Sequence, residues 1–193
     1  MLSYKESLKI LKETDALLEG HFILSSGLHS DKYVQCAKLL SKPERAKEIC
    51  LSLAEKIKEK YKNIDLILSP AIGGIVIGYE IGRILNTETI FAERVNGTFN
   101  LRRGFEINKG QKILLVEDVI TTGKSSLECS ALAKKANAEI MGYACIIDRS
   151  NGKSKIDKTI VSQIEIQIPT YKKENLPKHL ENTKAIKPGS RNL

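Results

Sequence analysis

This sequence predicts an α/β domain with a mostly parallel central sheet flanked by helices. Short apolar runs alternate with stretches of helical periodicity, as strand–helix units do. The runs are nearly continuous in aliphatic residues, Ile64–Leu68 and Ile113–Val116 among them, which suits strands buried on both faces. Gly-containing turns follow them, at Gly73-Gly74 and at Gly123, and ligands of such folds sit beyond the carboxyl ends of the strands. A length of 193 residues bounds the chain to one domain with at most a small appendage.

Taken in order, Leu8, Leu11, Leu17 and Leu18 are spaced as one helical face. Residues 20–40 then read as a short hairpin or extended pair: Phe22 and Leu24 alternate, and Ser25-Ser26-Gly27 makes a turn. Ser41-Lys42-Pro43-Glu44 reads as a capping box with proline in the first turn. The helix it opens carries Ala46, Ile49, Cys50, Leu53 and Ile57 on one face. Strands are expected at 64–68, 89–92, 112–116 and 139–147, with a last one where Ile164, Ile166 and Ile168 alternate. Helices are expected from Gly74 through Leu85 and over 124–136. Residues 92–111 form the longest connection, rich in Gly, Asn and Arg; a stretch that long suits a lid or binding loop. The end of the chain, polar and punctuated by Pro and Gly, reads as a surface tail.

Composition narrows the function. Hydrophobic residues are 41% and charged residues 28%, ordinary for a globular protein. No apolar run approaches the roughly 18 residues of a membrane span, and the N-terminus lacks the apolar core of a signal peptide, so a cytoplasmic location is expected. The net charge of +8 favours anionic partners. The lysines are spread over helical faces and the tail, aromatics are only 5%, and Trp is absent, so a nucleic-acid surface is not expected. Cys36, Cys50, Cys129 and Cys145 show no Cys-x-x-Cys pair and predict buried, reduced thiols rather than a metal or redox site.

The segment that carries chemistry is Ile113–Ser125. An apolar strand runs out into Glu117 and Asp118, then a Thr121-Thr122-Gly123 turn, then a helix. The turn and helix start offer free amides, hydroxyls and the positive end of the helix dipole, an anion site sized for a monophosphate. Two carboxylates beside it point to sugar hydroxyls, near Mg²⁺. A P-loop is excluded, because the position five residues before Gly123 is Asp118 rather than Gly. Gly73, Gly74, Gly78 and Gly82 do not fit the dinucleotide fingerprint either.

VEDVITTGKS resembles the 5-phosphoribosyl-1-diphosphate (PRPP) motif of the type I phosphoribosyltransferases. The whole chain resembles the orotate branch of that family, through GHFILSSGLHSDKYVQ, SPAIGGIVIGYEIGR, FAERVNGTFNLRRGF, Asp148-Arg149 and KPGSR near the end. The resemblance implies the type I phosphoribosyltransferase fold, with a small hood formed by 1–40 and the C-terminal tail over a core at 41–170. It implies transfer of the phosphoribosyl group of PRPP to orotate with Mg²⁺. Glu117 and Asp118 would hold the ribose hydroxyls, and Val119, Ile120, Thr121, Thr122, Gly123, Lys124 and Ser125 would wrap the 5-phosphate. Ser69, Ala71, Gly73 and Gly74 would receive pyrophosphate; Thr121 and Arg149 would face orotate, Arg149 through its carboxylate.

Arg94 matches the arginine that opens the family's mobile catalytic loop, which closes over a neighbouring subunit and so implies a homodimer with 92–111 completing the partner's site. Val95 stands where a Lys is frequent, the Lys and His that often follow are missing, and Ser25 replaces a PRPP-contacting Lys. Arg102 and Arg103 are the remaining basic groups of the loop, and Asp118 completes the expected catalytic set. The alternatives are a phosphoribosyltransferase for another base, which would leave Arg149 without a partner, and a PRPP-sensing RNA-binding regulator, whose binding would fall steeply with salt.

Overall fold

The computed structural model describes residues 1–24 and 26–188. Helix α1 (Tyr4–Glu13) opens on a reciprocal cap: the Ser3 hydroxyl accepts the Glu6 amide, and Glu6 Oε2 accepts the Ser3 amide at 2.7 Å. It buries Ile10 and Leu11. It does not extend to Leu17 and Leu18 as their spacing predicts, because Thr14 caps it and Asp15 takes a left-handed φ of 57°. Those leucines open β1 (Leu17–Ile23), which pairs antiparallel with β2 (His29–Val34) as the predicted hairpin. A short α2 (Cys36–Leu40) follows.

Helix α3 (Pro43–Lys60) has proline in its first turn and buries the predicted face, but its cap is Lys42 without a side-chain bond. The predicted capping box is absent: Ser41 Oγ donates back to the Lys38 carbonyl at 2.9 Å, completing α2 instead. Beyond it come β3 (Leu66–Pro70), α4 (Gly73–Leu85), β4 (Glu88–Val95), β5 (Thr98–Leu101), β6 (Lys112–Ile120), α5 (Lys124–Lys135), β7 (Glu139–Asp148) and β8 (Ile160–Glu165). Their order in the sheet is β5-β4-β3-β6-β7-β8, parallel throughout except for the antiparallel edge strand β5.

Alternate residues of the central strands feed separate cores. Ile67, Leu114 and Val116 pack with α3 and α4, whereas Leu66, Leu68, Ile113 and Leu115 pack with Cys129 and Ala133 of α5. The sheet is thereby sealed on both faces, and function is left to its carboxyl edge. Three strands depart from the sequence reading in their boundaries. β3 runs to Pro70, and β6 runs to Ile120, so the acidic pair lies within the strand. The last strand is centred earlier, at 160–165, although Ile166 still pairs through its amide with the Asp148 carbonyl.

Residues 92–111 are not one open connection. Asn96 and Gly97, both at positive φ, turn β4 into β5, as an Asn-Gly pair does in a tight hairpin. The C-terminal segment is not a loose surface tail up to residue 188. Ile186 exchanges backbone bonds with His21 and Ile23, Tyr171 with His29, and Leu180 is buried. The tail thus adds to both edges of the β1–β2 hairpin. Within the hairpin, His21 Nε2 and His29 Nδ1 are 2.6 Å apart. Ser25 and the last residues of KPGSR lie outside the described residues.

Candidate active site

At the carboxyl edge, β6 delivers two carboxylates in different directions. Glu117 faces α5, where its Oε2 accepts the hydroxyl of the buried Ser126. Burial, with the nearby Asp118 charge adding to it, raises Glu117 to about 7, against an opposing contribution from Ser126. Asp118 faces α4: a Cβ on Gly73 would stand 2.8 Å from its Oδ1, so only glycine lets the helix start approach this carboxylate. Burial also raises Asp118, opposed by the Val119 amide that its Oδ1 accepts at 3.0 Å.

The turn that follows holds Thr121 and Thr122 exposed and Gly123 buried in the left-handed region, φ 76°, where it caps α5. The Lys124 amide is taken by the Thr122 hydroxyl at 3.3 Å. The Ser125 and Ser126 amides belong to the first turn of α5, where a helix offers no acceptor for them. The sequence reading expects an anion at this turn, and the structure brings residues 121–126 together at the end of β6 and the start of α5.

Across from it, the Ala71–Ile72 turn joins β3 to α4 through a cis peptide, and the Ala71 amide donates to the Ala92 carbonyl at 2.8 Å. Gly74 packs on the sheet, where a Cβ would stand 3.1 Å from the Val116 carbonyl. The Ser69 hydroxyl does not face this turn. It is fully buried against α4, without a hydrogen-bond partner among the described residues, and a Cβ on Gly78 would collide with it at 2.1 Å. Of the residues expected to receive pyrophosphate, Ala71, Gly73 and Gly74 surround the turn, and Ser69 offers no hydroxyl to it.

Arg149 stands at the end of β7, its amide bonded to the Ile120 carbonyl at 2.8 Å. Its guanidinium is not paired with its neighbour, since Asp148 Oδ1 accepts the Ser150 amide at 2.7 Å. Arg149 Nε is buried with no hydrogen-bond partner among the described residues, and burial lowers the guanidinium from its ordinary value. Tyr33 and the buried Cys36 are the ionisable neighbours that favour its charge. Cys36 also reaches the Asp118 carbonyl, Sγ to oxygen 3.9 Å. The sequence reading missed both residues, along with Ser126, because the tertiary fold alone brings the hairpin's end and the helix to this edge.

The three arginines of 92–111 are engaged elsewhere. Arg94 bonds Glu128 at 2.5 Å and the Gly97 carbonyl at 2.6 Å, stacked 4.2 Å over Phe99. Arg103 forks onto Glu93 at 2.7 and 3.3 Å, and Arg102 lies 3.6 Å from the same carboxylate. The four cysteines are free and buried, as their spacing predicts.

Comparison with known proteins agrees with this fold. The phosphoribosyl transferase domain family matches residues 36–182. The orotate phosphoribosyltransferase of Parvibaculum lavamentivorans is 47% identical over 189 residues, covering 96% of this chain and 97% of that protein. Its namesake from Sphingopyxis alaskensis is 49% identical over 185 residues, covering 94% of each. Among solved structures, the orotate phosphoribosyltransferase from Aeropyrum pernix superposes with a TM-score of 0.71 at 22% identity, over 82% of this chain and 92% of that one. The chain belongs to the phosphoribosyltransferase family, in its orotate phosphoribosyltransferase branch.

Proposed function

We propose that this protein transfers the 5-phosphoribosyl group of PRPP to orotate, giving orotidine 5′-monophosphate and pyrophosphate in pyrimidine biosynthesis. The observation that carries the reading is Arg149. A half-buried guanidinium with an unpaired Nε, between the acidic strand and the hairpin, suits a ligand carboxylate. A base without a carboxylate would leave it uncompensated.

In this reading the 5-phosphate sits on the amides of 121–126, the ribose hydroxyls reach Glu117 and Asp118, and pyrophosphate leaves toward Ala71, Gly73 and Gly74. Glu117 keeps one carboxylate oxygen on Ser126 and has the other for a hydroxyl. Thr121, exposed at the head of the turn, lies beside the base. Orotate nitrogen attacks the anomeric carbon, positive charge develops on the ribose ring, and the carbon–oxygen bond to pyrophosphate breaks. The protein's work is to position both anions and to stabilise that charge separation.

Mg²⁺ carried by the diphosphate would offset its charge, and Asp118 is the residue that would face it. Among the described residues no group of three or more His, Cys, Asp or Glu stands together. Arg94, Arg102 and Arg103 would have to leave Glu128 and Glu93 to reach the diphosphate, so they serve a closing hairpin. A second copy of the chain belongs to this reading. Ile72 at the cap of α4, with Val76 and Tyr79 on the helix, are 85%, 51% and 66% exposed, an apolar stripe beside the site. Residues 1–40 and the tail form the hood over the site. The reading also places the enzyme in the cytoplasm, in keeping with the lack, among the described residues, of a helix long and apolar enough to cross a membrane.

The test is incubation with orotate, PRPP and Mg²⁺, with and without chelator. The expected result is chelator-sensitive formation of orotidine monophosphate and pyrophosphate in equal amounts. Turnover of adenine, or of no base, would refute the assignment of orotate.

A further inference from the structure

The segment after Arg149 has no place in the sequence motifs, yet it runs along the whole turn from the base side to the 5-phosphate side. Arg149 donates its amide to Ile120, Lys153 closes a turn onto the Ser150 carbonyl at 2.8 Å, and the Lys155 amide reaches the Thr122 carbonyl at 3.2 Å. Ile156 is the one apolar residue between Asn151 and Thr159, and it packs against the α5-side core while its neighbours Lys155 and Asp157 are exposed. A Cβ on Gly123 would stand 2.8 Å from Ile156 Cγ1 and 2.9 Å from Cδ1. Ile156 therefore fills the space that the missing side chain of Gly123 leaves.

We infer that Ile156 is a positioning residue for the 5-phosphate turn, acting with the Lys155 amide as an outer wall that holds Thr122 and Gly123 in their anion-binding conformation. Glycine in the left-handed region is the freest residue of the cradle. A cradle that must be ordered when ligand arrives binds more weakly than one already formed. Ile156 meets the turn where a side chain on Gly123 would project, so it acts through Gly123. Because the same segment begins at Arg149, it ties the orotate side of the site to the phosphate side.

The inference rests on the function proposed above. The experiment compares wild type, Ile156→Ala and Ile156→Val in steady-state kinetics and in amide hydrogen exchange without substrate. In Ile156→Ala the KM for PRPP should rise about tenfold, with kcat and the KM for orotate within about twofold. Exchange at residues 122–126 should quicken, and Ile156→Val should restore both. An unchanged KM for PRPP, or an equal rise for both substrates, overturns the inference. Exchange that does not change removes the wall itself. Wild type that turns over no PRPP overturns the proposed function instead, and the exchange measurement distinguishes the two failures.

Discussion

Glu117 and Asp118 are adjacent in the chain and point to opposite faces of the sheet, Glu117 to Ser126 on α5 and Asp118 to Gly73 at the start of α4. Strand geometry imposes this, since successive side chains alternate. The pair is therefore not one chelating unit. Glu117 is tied to the first turn of α5, and Asp118 to the turn that opens α4.

The two carboxylates also differ in what their burial does to stability. Glu117 titrates at about 7 in the fold against 4.5 ordinarily. A raised value means that its contribution is complete below pH 4.5 and is lost as pH rises through 7. Glu117→Gln should therefore match the ligand-free wild type at low pH and exceed it at pH above 7, by up to about 3 kcal/mol. Thermal melts across this range check it; a difference that does not grow with pH refutes the buried-acid account.

Arg149→Ala removes the proposed carboxylate partner. The KM for orotate should rise by about 10- to 200-fold, the worth of a hydrogen bond to a charged group, while the KM for PRPP stays within about twofold. Initial rates with each substrate varied in turn decide it. Equal losses for both substrates would mean that Arg149 supports the site without meeting orotate.

Ser69→Ala tests a residue that the motif includes and the fold turns away. Its hydroxyl is buried against Gly78 without a partner among the described residues. Removing it should leave the pyrophosphate-side kinetics unchanged and keep or raise stability by about 1 kcal/mol. A large loss of kcat would show that the hydroxyl turns into the site during the reaction.

Tyr79→Glu places a charge in the exposed stripe of α4. If that stripe joins two copies, sedimentation should show a dimer for wild type and a monomer for the variant, with activity reduced where the partner's hairpin is required. A wild-type monomer with full activity would separate the stripe from the enzyme's function.

The sequence by itself determined the class of fold and the strand–turn–helix that carries the acidic pair. Those features are local: aliphatic runs fit only buried strands, and a Thr-Thr-Gly turn before a helix presents amides wherever it occurs. Boundaries set by competition were not legible. Ser41 had the spacing of a cap but spent its hydroxyl on α2, and Leu17 and Leu18 fitted a helical face that a left-handed Asp15 ends. Asn96-Gly97 was a hairpin signal inside what read as a loop. Only the tertiary structure decided which way each side chain points: Ser69 inward, Arg94 onto Glu128, and Ile156 onto Gly123. Those outcomes depend on groups distant in sequence that meet only after the sheet is sealed on both faces and its carboxyl edge remains for the substrates.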